Sequence, residues 1–138
     1  MKIIHKLMER LHNIDKGALL LRIALGVVFI NAGWIKLVNI DMVLGFFNHI
    51  GFPAWMAYFV AYAEFIGGIA FILGLFTRYF AIVLAIIMAV AIKTLWGQGF
   101  SLATGGYEYT FTLFFVCLAI MTIGAGKYSL DRLFKFRS

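Results

Sequence analysis

Four stretches of the chain stay apolar for about the roughly 20 residues that a helix needs to cross a hydrocarbon layer. They run from Ala18 to Val38, Trp55 to Leu75, Tyr79 to Trp96 and Tyr107 to Ile123. The runs are continuous rather than alternating, which predicts helices and not barrel strands. The expected fold is all-α, an integral membrane four-helix bundle forming one domain over residues 1–138. The first run carries Arg22 and is too long for a leader's apolar core, so it reads as a retained span.

The connections differ in character. "NIDMVLGFFNHIGFP" is semi-apolar and predicts a short helix along the outer interface, with Gly51 and Pro53 turning the chain into the second span. "GQGFSLATGG" predicts a flexible loop over the outer mouth, and "GKYSLDRLFKFRS" an amphipathic anchor on the cytoplasmic leaflet.

Polar and small residues recur at helical spacing inside the spans. Span one has Arg22, Gly26, Phe29, Gly33 and Lys36 on one stripe. Span two has Ala57, Ala61, Glu64, Gly68, Phe71 and Leu75, and span four has Glu108, Thr112, Phe115, Ala119, Thr122 and Gly126. Small residues let membrane helices approach closely, so these stripes are expected to face the interior. Span three adds Lys93, with Ala89 a turn below. At about 1.5 Å per residue, Glu64 lies near the midplane, Lys93 roughly a turn further out, and Lys36 and Glu108 near the outer boundary. Arg22 to Lys36 and Arg78 to Lys93 are similarly spaced, and each is followed by a helix with a glutamate. That echo is either a tandem repeat of helical hairpins or a coincidence of spacing.

Composition narrows the class. Hydrophobic residues make up 64% and charged residues 13%, against about 45–50% and about 25% in ordinary soluble domains. This excludes a cytosolic enzyme, a disordered chain and a disulfide scaffold. The net charge is +6, but the basic residues gather at the chain ends and lack a base-reading pattern, so no nucleic acid is expected. Lys2, Lys6, Arg10, Lys16, Arg78, Lys127, Arg132, Lys135 and Arg137 fall on one side, and Lys36 and Lys93 on the other. The positive-inside rule then places both termini in the cytoplasm. Trp34, Trp55, Trp96, Tyr107 and Tyr109 form an aromatic belt at the outer boundary.

The chemistry-bearing residues are few. Cys117 is the single cysteine, so redox activity would require a bound cofactor or a partner's thiols. His5, His12 and His49 do not face each other within a span, and neither metal nor haem is expected. A charge near the middle of a span costs roughly 2.5–3.5 kcal/mol on insertion scales. Glu64 and Lys93 are therefore the candidate catalytic residues. Lys36, Glu108, Gly33, Gly68, Thr112 and Phe115 are the candidate pocket, with Phe29, Phe65 and Phe71 as further walls. Plainer roles remain open for the same residues. Lys36 and Lys93 would snorkel to headgroups, Glu108 would complement a helix dipole, and Glu64 would be a structural partner for Lys93. Arg22 would bind phosphate headgroups or a loop carbonyl. Asn31 points away from the stripe, and Cys117 is packed or lipid-facing.

The stretch "RIALGVVFINAGWIKL", through Arg22, Gly26, Gly33 and Lys36, resembles the first helix of the DoxX family of small membrane proteins. "GFPAWMAYFVAYAEFIGGIAFILGLFTR" resembles the family's next signature, through Gly51, Pro53, Glu64, Gly67, Gly68, Gly74, Thr77 and Arg78. Lys93 and Glu108 sit where the family often keeps polar residues, and the resemblance covers roughly residues 17–124. It implies a multi-pass four-helix protein of the bacterial inner membrane. It also implies redox associations: one branch with thiosulfate oxidation coupled to quinone, another as a membrane element linking thiol and superoxide defence enzymes. Relatives in other kingdoms act as cargo receptors or assembly factors.

The expected function is a quinone-linked oxidoreductase, or a subunit of a membrane redox complex, with a polar pocket in the outer half of the bundle. The cofactor stays open, and a quinone is the one this reading would use. The expected partners are the lipid bilayer, redox proteins and a second copy of the chain. Two alternatives stand beside it: a non-catalytic scaffold or assembly factor for redox partners, and a small proton-coupled dimeric transporter.

Overall fold

The structure is a computed structural model that describes residues 1–11 and 14–133. His12 and the last two basic residues of the charge count, Lys135 and Arg137, lie outside the described residues. The described chain runs through helices α1 (Lys2–Leu11), α2 (Ile14–Val38), α3 (Ile40–His49), α4 (Ala54–Leu73), α5 (Thr77–Thr94), α6 (Glu108–Ile123) and α7 (Leu130–Leu133). Two 3-10 turns, Trp96–Gln98 and Leu102–Thr104, lie between α5 and α6. No strand occurs among the described residues. Helices α2, α4 and α5 are long and apolar enough to cross a membrane, and α6 is a shorter apolar helix of 16 residues.

Local chemistry sets the helix ends. Helix α4 starts after Pro53, whose extended backbone leads into the first turn. It stops at Gly74, which adopts φ 71°. There Leu75 N donates to Ala70 O at 2.9 Å and Gly74 N to Phe71 O at 3.2 Å, the two bonds of a Schellman turn. Helix α5 starts two residues beyond Leu75, after Phe76 at φ 49°, a left-handed conformation that bulky residues rarely adopt. The carboxylate of Asp131 holds it there, accepting from Phe76 N at 2.6 Å and Thr77 N at 3.0 Å.

Helix α2 packs along α4, α5 along α6, α4 touches α5, and α2 touches α6. One continuous core results, with Leu25 and Phe29 from α2, Phe71 from α4, Leu84, Ile87 and Met88 from α5, and Leu113, Cys117 and Ile120 from α6. The α2–α4 contact is close because Gly33 and Gly68 leave no room for more. A Cβ on Gly33 would lie 2.5 Å from Phe65 N, and one on Gly68 would lie 2.6 Å from Ile30 N. This is the small-residue packing expected between helices that lack a hydrophobic drive to associate in lipid.

One expectation needs correction here. Helix α6 buries Leu113, Cys117 and Ile120, not the stripe of Glu108, Thr112, Phe115, Ala119 and Thr122, which is exposed. In the C-terminal segment Asp131 is fully buried and Lys127 N donates to Asp15 Oδ1 at 3.0 Å, while residues 134–138 of the expected anchor lie outside the described residues. The glycine-rich loop carries backbone bonds from Gly106 N to Ser101 O at 2.9 Å and Glu108 N to Phe100 O at 2.8 Å. The short helix expected before Gly51 is present as α3.

Candidate functional site

Near the α2–α3 junction, five helices surround a partly open cavity of about 610 Å³. Phe29 and Lys36 of α2, Phe46 and Phe47 of α3, Phe59 and Glu64 of α4, Met88 and Thr94 of α5, and Tyr109 and Thr110 of α6 lie on its wall. Helix α3 has no buried residue of its own, and its Met42, Val43, Phe46 and Phe47 line this wall. Trp55 and Phe52, from the turn into α4, extend the wall.

The polar groups on this wall differ in what they have left to offer. Thr94 Oγ1 donates to Ala91 O at 2.8 Å and Thr110 Oγ1 to Tyr107 O at 3.0 Å, so each hydroxyl proton is used within its own helix. Lys36 Nζ donates to Glu64 Oε2 at 2.6 Å. Glu64 is only 2% exposed, while the Lys36 side chain retains partial access. Either charge alone inside the helices would carry a large desolvation cost, and the short bond offsets it. The pair can hold a hydrogen-bonding head group while the aromatic wall takes an apolar body.

The structure brings together Lys36 and Glu64 of the expected residues. Lys93 is exposed, and no ion pair joins it to Glu64 among the described residues. Helix α5 lines the cavity with Ile86, Ile87, Met88, Val90, Ala91 and Thr94, and Lys93 is not among the lining residues. Glu108 is exposed and accepts from Leu102 N at 3.0 Å, closing the loop before α6. Thr112 is exposed with its hydroxyl on Glu108 O at 3.1 Å, and Phe115 is exposed beside Phe111 and Phe114. Gly33 and Gly68 lie in the α2–α4 contact and not on the cavity wall. Of the further walls, Phe29 lines the cavity, Phe71 belongs to the core, and Phe65 lies against Trp34. Asn31 is exposed and Cys117 is packed in the core.

Sequence reasoning missed the contribution of α3 and Tyr109 to the wall. The aromatic cluster "GFFNHIGFPAW" was the available signal. It also missed Asp131, which belongs to a second buried polar cluster. Arg22, fully buried, donates through Nη1 to Phe71 O at 2.9 Å and through Nη2 to Tyr128 O at 2.5 Å. The carbonyl arm of the expectation for Arg22 is therefore the one realised, and it covers the exposed end of α4.

Comparison with known proteins places this arrangement. Residues 17–97 match the DoxX family. Over 104 residues the chain is 33% identical to "Putative oxidoreductase CatD" of Bacillus subtilis (strain 168), spanning 75% of this chain and 78% of that protein. Over 122 residues it is 32% identical to "Inner membrane protein YqjF" of Escherichia coli (strain K12), spanning 86% of this chain and 92% of that protein. No solved structure matches it significantly. With three membrane-length apolar helices and a family match over more than half its length, the chain belongs to the DoxX family of membrane proteins.

Proposed function

We propose that this chain is a quinone-linked membrane redox protein, or a subunit of a membrane redox complex, and that its cavity binds the quinone head against Lys36 and Glu64. The observation that carries this reading is an apolar cavity of about 610 Å³ with a buried ion pair on its wall. Those residues fit the group: aromatic side chains suit a lipophilic body, and one donor–acceptor pair suits a polar ring. When bound, a quinone supplies a carrier for two electrons and two protons. The Lys36 ammonium would donate a hydrogen bond to the polar head and favour negative charge there. Glu64, ionised in its bond to Lys36, would take up and pass on a proton, and Phe46, Phe47 and Phe59 would line the apolar body. The single cysteine is packed in the core, so electrons would come from a substrate on the outer side or from a partner and not from a thiol of this chain. Lys93 and Glu108 have no part in this reading, because both are exposed. The name of the Bacillus subtilis relative supports the redox half of it.

The same reading takes α2, α4, α5 and α6 as a multi-pass four-helix bundle in the bacterial inner membrane, one domain with both termini cytoplasmic. The 16 residues of α6 rise about 24 Å, and the stacked Trp96 and Tyr107 rings at its start supply an interfacial anchor for the rest. Lys2, Lys6, Lys16, Arg78, Lys127 and Arg132 flank one end of these helices and only Lys36 and Lys93 the other, which supports the orientation. The name of the Escherichia coli relative supports the inner membrane.

A membrane scaffold for redox partners is the second reading. The Lys36–Glu64 bond favours it, because that bond itself bridges α2 and α4. Native mass spectrometry of the gently solubilised protein separates the two. The redox reading expects a quinone mass on the wild-type chain and its loss in Glu64→Gln. A stoichiometric protein partner with no quinone on any preparation would establish the scaffold instead.

A further inference from the structure

Ahead of the first apolar span the chain forms α1, and every residue from Met1 to Glu9 is exposed. Its two faces are cleanly divided. At about 100° per residue, Ile3, Leu7, Ile4 and Met8 fall within an arc of roughly 140°. Lys2, His5, Lys6 and Glu9 occupy the opposite side. The apolar side chains have nothing to shield them among the described residues: Ile3 is 84% exposed and Met8 63%. The polar side is basic, since Lys2 and Lys6, followed in sequence by Arg10, outnumber Glu9. Glu9 in turn sits 3.4 Å from His5 Nε2, one turn back on the same side.

Position decides what covers the apolar side. Three residue steps separate Leu11 from Ile14, the start of a membrane-length helix. Three steps reach at most about 11 Å, so the Leu11 end of α1 stays beside the surface at which α2 enters the hydrocarbon. At ten residues it rises only about 15 Å and cannot cross. Lys16, Arg78 and Lys127 lie at the same end of the helices and add to a basic rim. A short helix with one apolar and one basic side, held at a bilayer surface, has the chemistry of an interfacial anchor.

We infer that α1 is a docking surface for anionic lipid: it lies flat on the leaflet at which α2 enters, with Ile3, Ile4, Leu7 and Met8 in the acyl boundary and Lys2 and Lys6 among the headgroup phosphates. The inference needs α2 to cross the membrane and is independent of any ligand in the cavity. Two consequences follow from the geometry. The helix fixes the depth of the Arg22 end relative to the headgroups, and the attachment is weakened by salt, because its charge–charge part is screened over a Debye length of about 8–10 Å.

The test uses the full chain in a Cys117→Ala background, reconstituted in vesicles with and without about a third anionic lipid. A nitroxide is placed at position 7 in Leu7→Cys and, separately, at position 9 in Glu9→Cys. Accessibility to oxygen and to a water-soluble nickel chelate is then read for each. The expected result is oxygen access and chelate exclusion at position 7 in anionic vesicles, chelate access at position 9, and loss of immersion at position 7 in neutral vesicles. Lys2→Gln with Lys6→Gln lowers the docked-to-free ratio roughly 30-fold at low salt, from the usual contribution of a basic residue near an anionic surface. Equal chelate access at positions 7 and 9 in both lipids overturns the inference. So does immersion that is indifferent to anionic lipid. Exclusion of both reagents at position 7 also overturns it, since that marks burial against a second copy or another protein. If Cys117→Ala fails to fold, the labels go into the natural chain, whose Cys117 is buried and shielded from the reagent.

Discussion

The α2–α4 pair and the α5–α6 pair are built to a similar charge plan, each with an arginine near one end, a lysine near the other and a glutamate on the second helix. In the first pair all three charges turn inward: Arg22 is fully buried, and Lys36 reaches Glu64 at 2.6 Å. In the second pair Arg78, Lys93 and Glu108 are all exposed. The packing between the helices accounts for the difference. Gly33 and Gly68 bring α2 and α4 together so closely that the charged side chains beside them meet across the contact. Between α5 and α6 the contact is filled by Leu84, Met88, Leu113 and Ile120, with no charged residue in the core cluster. Similar charges are thus turned inward in one pair and left exposed in the other.

The largest effect that separates the pairs is expected at their arginines. Arg22→Ala removes bonds to Phe71 O and Tyr128 O and the cation whose charge acts on the buried Asp131. Loss of one partner from such a cluster costs about 3–5 kcal/mol. Thermal unfolding in detergent should show a fall of many degrees, whereas Arg78→Ala should unfold with the wild type. Equal losses would show that burial does not distinguish the pairs.

Next in size is the helix contact. Gly33→Leu must push α2 off the backbone of Phe65 and should cost about 1–3 kcal/mol as overpacking. Gly67→Ala meets side-chain atoms and no backbone, Leu84 Cδ1 at 2.8 Å and Phe80 Cδ1 at 3.3 Å, and should cost less. The same unfolding assay ranks the two, and a reversed order would remove the close contact as the cause of the inward charges. The smallest effects belong to the exposed charges: Lys93→Gln and Glu108→Gln should change any quinone affinity less than twofold in an equilibrium binding assay. A tenfold loss at either position would return it to the site.

The expected spans lie within a few residues of α2, α4, α5 and α6 because bilayer thickness sets a length that composition reveals directly. Arg22, Gly26, Phe29 and Gly33 on α2, and Ala57, Ala61, Glu64, Gly68 and Phe71 on α4, are buried as their spacing indicates. Helix α6 defeats the same rule. Thr112 and Thr122 bond to carbonyls of their own helix, at 3.1 Å to Glu108 O and 2.8 Å to Ala119 O, so an outward hydroxyl leaves no donor unpaired. With both faces apolar, the rotation of α6 is decided by which large side chains fill the core. The cavity was less legible still, because its wall draws Phe46, Phe59, Met88 and Tyr109 from four separate helices. Asp131 lies 55 positions from the backbone it caps at Phe76, and no local pattern points that far.

The central claim is that the Lys36–Glu64 pair forms the polar end of a ligand site. Trp55 lies on the cavity wall and provides the probe. In a Trp34→Phe, Trp96→Phe background, its fluorescence is titrated with a short-chain quinone in detergent. Saturable quenching is predicted, with Kd raised at least about tenfold by Lys36→Met or Glu64→Gln, in line with the loss of a charge-assisted hydrogen bond, and unchanged by Lys93→Gln. Non-saturable quenching, or equal affinity in all four proteins, would contradict the account.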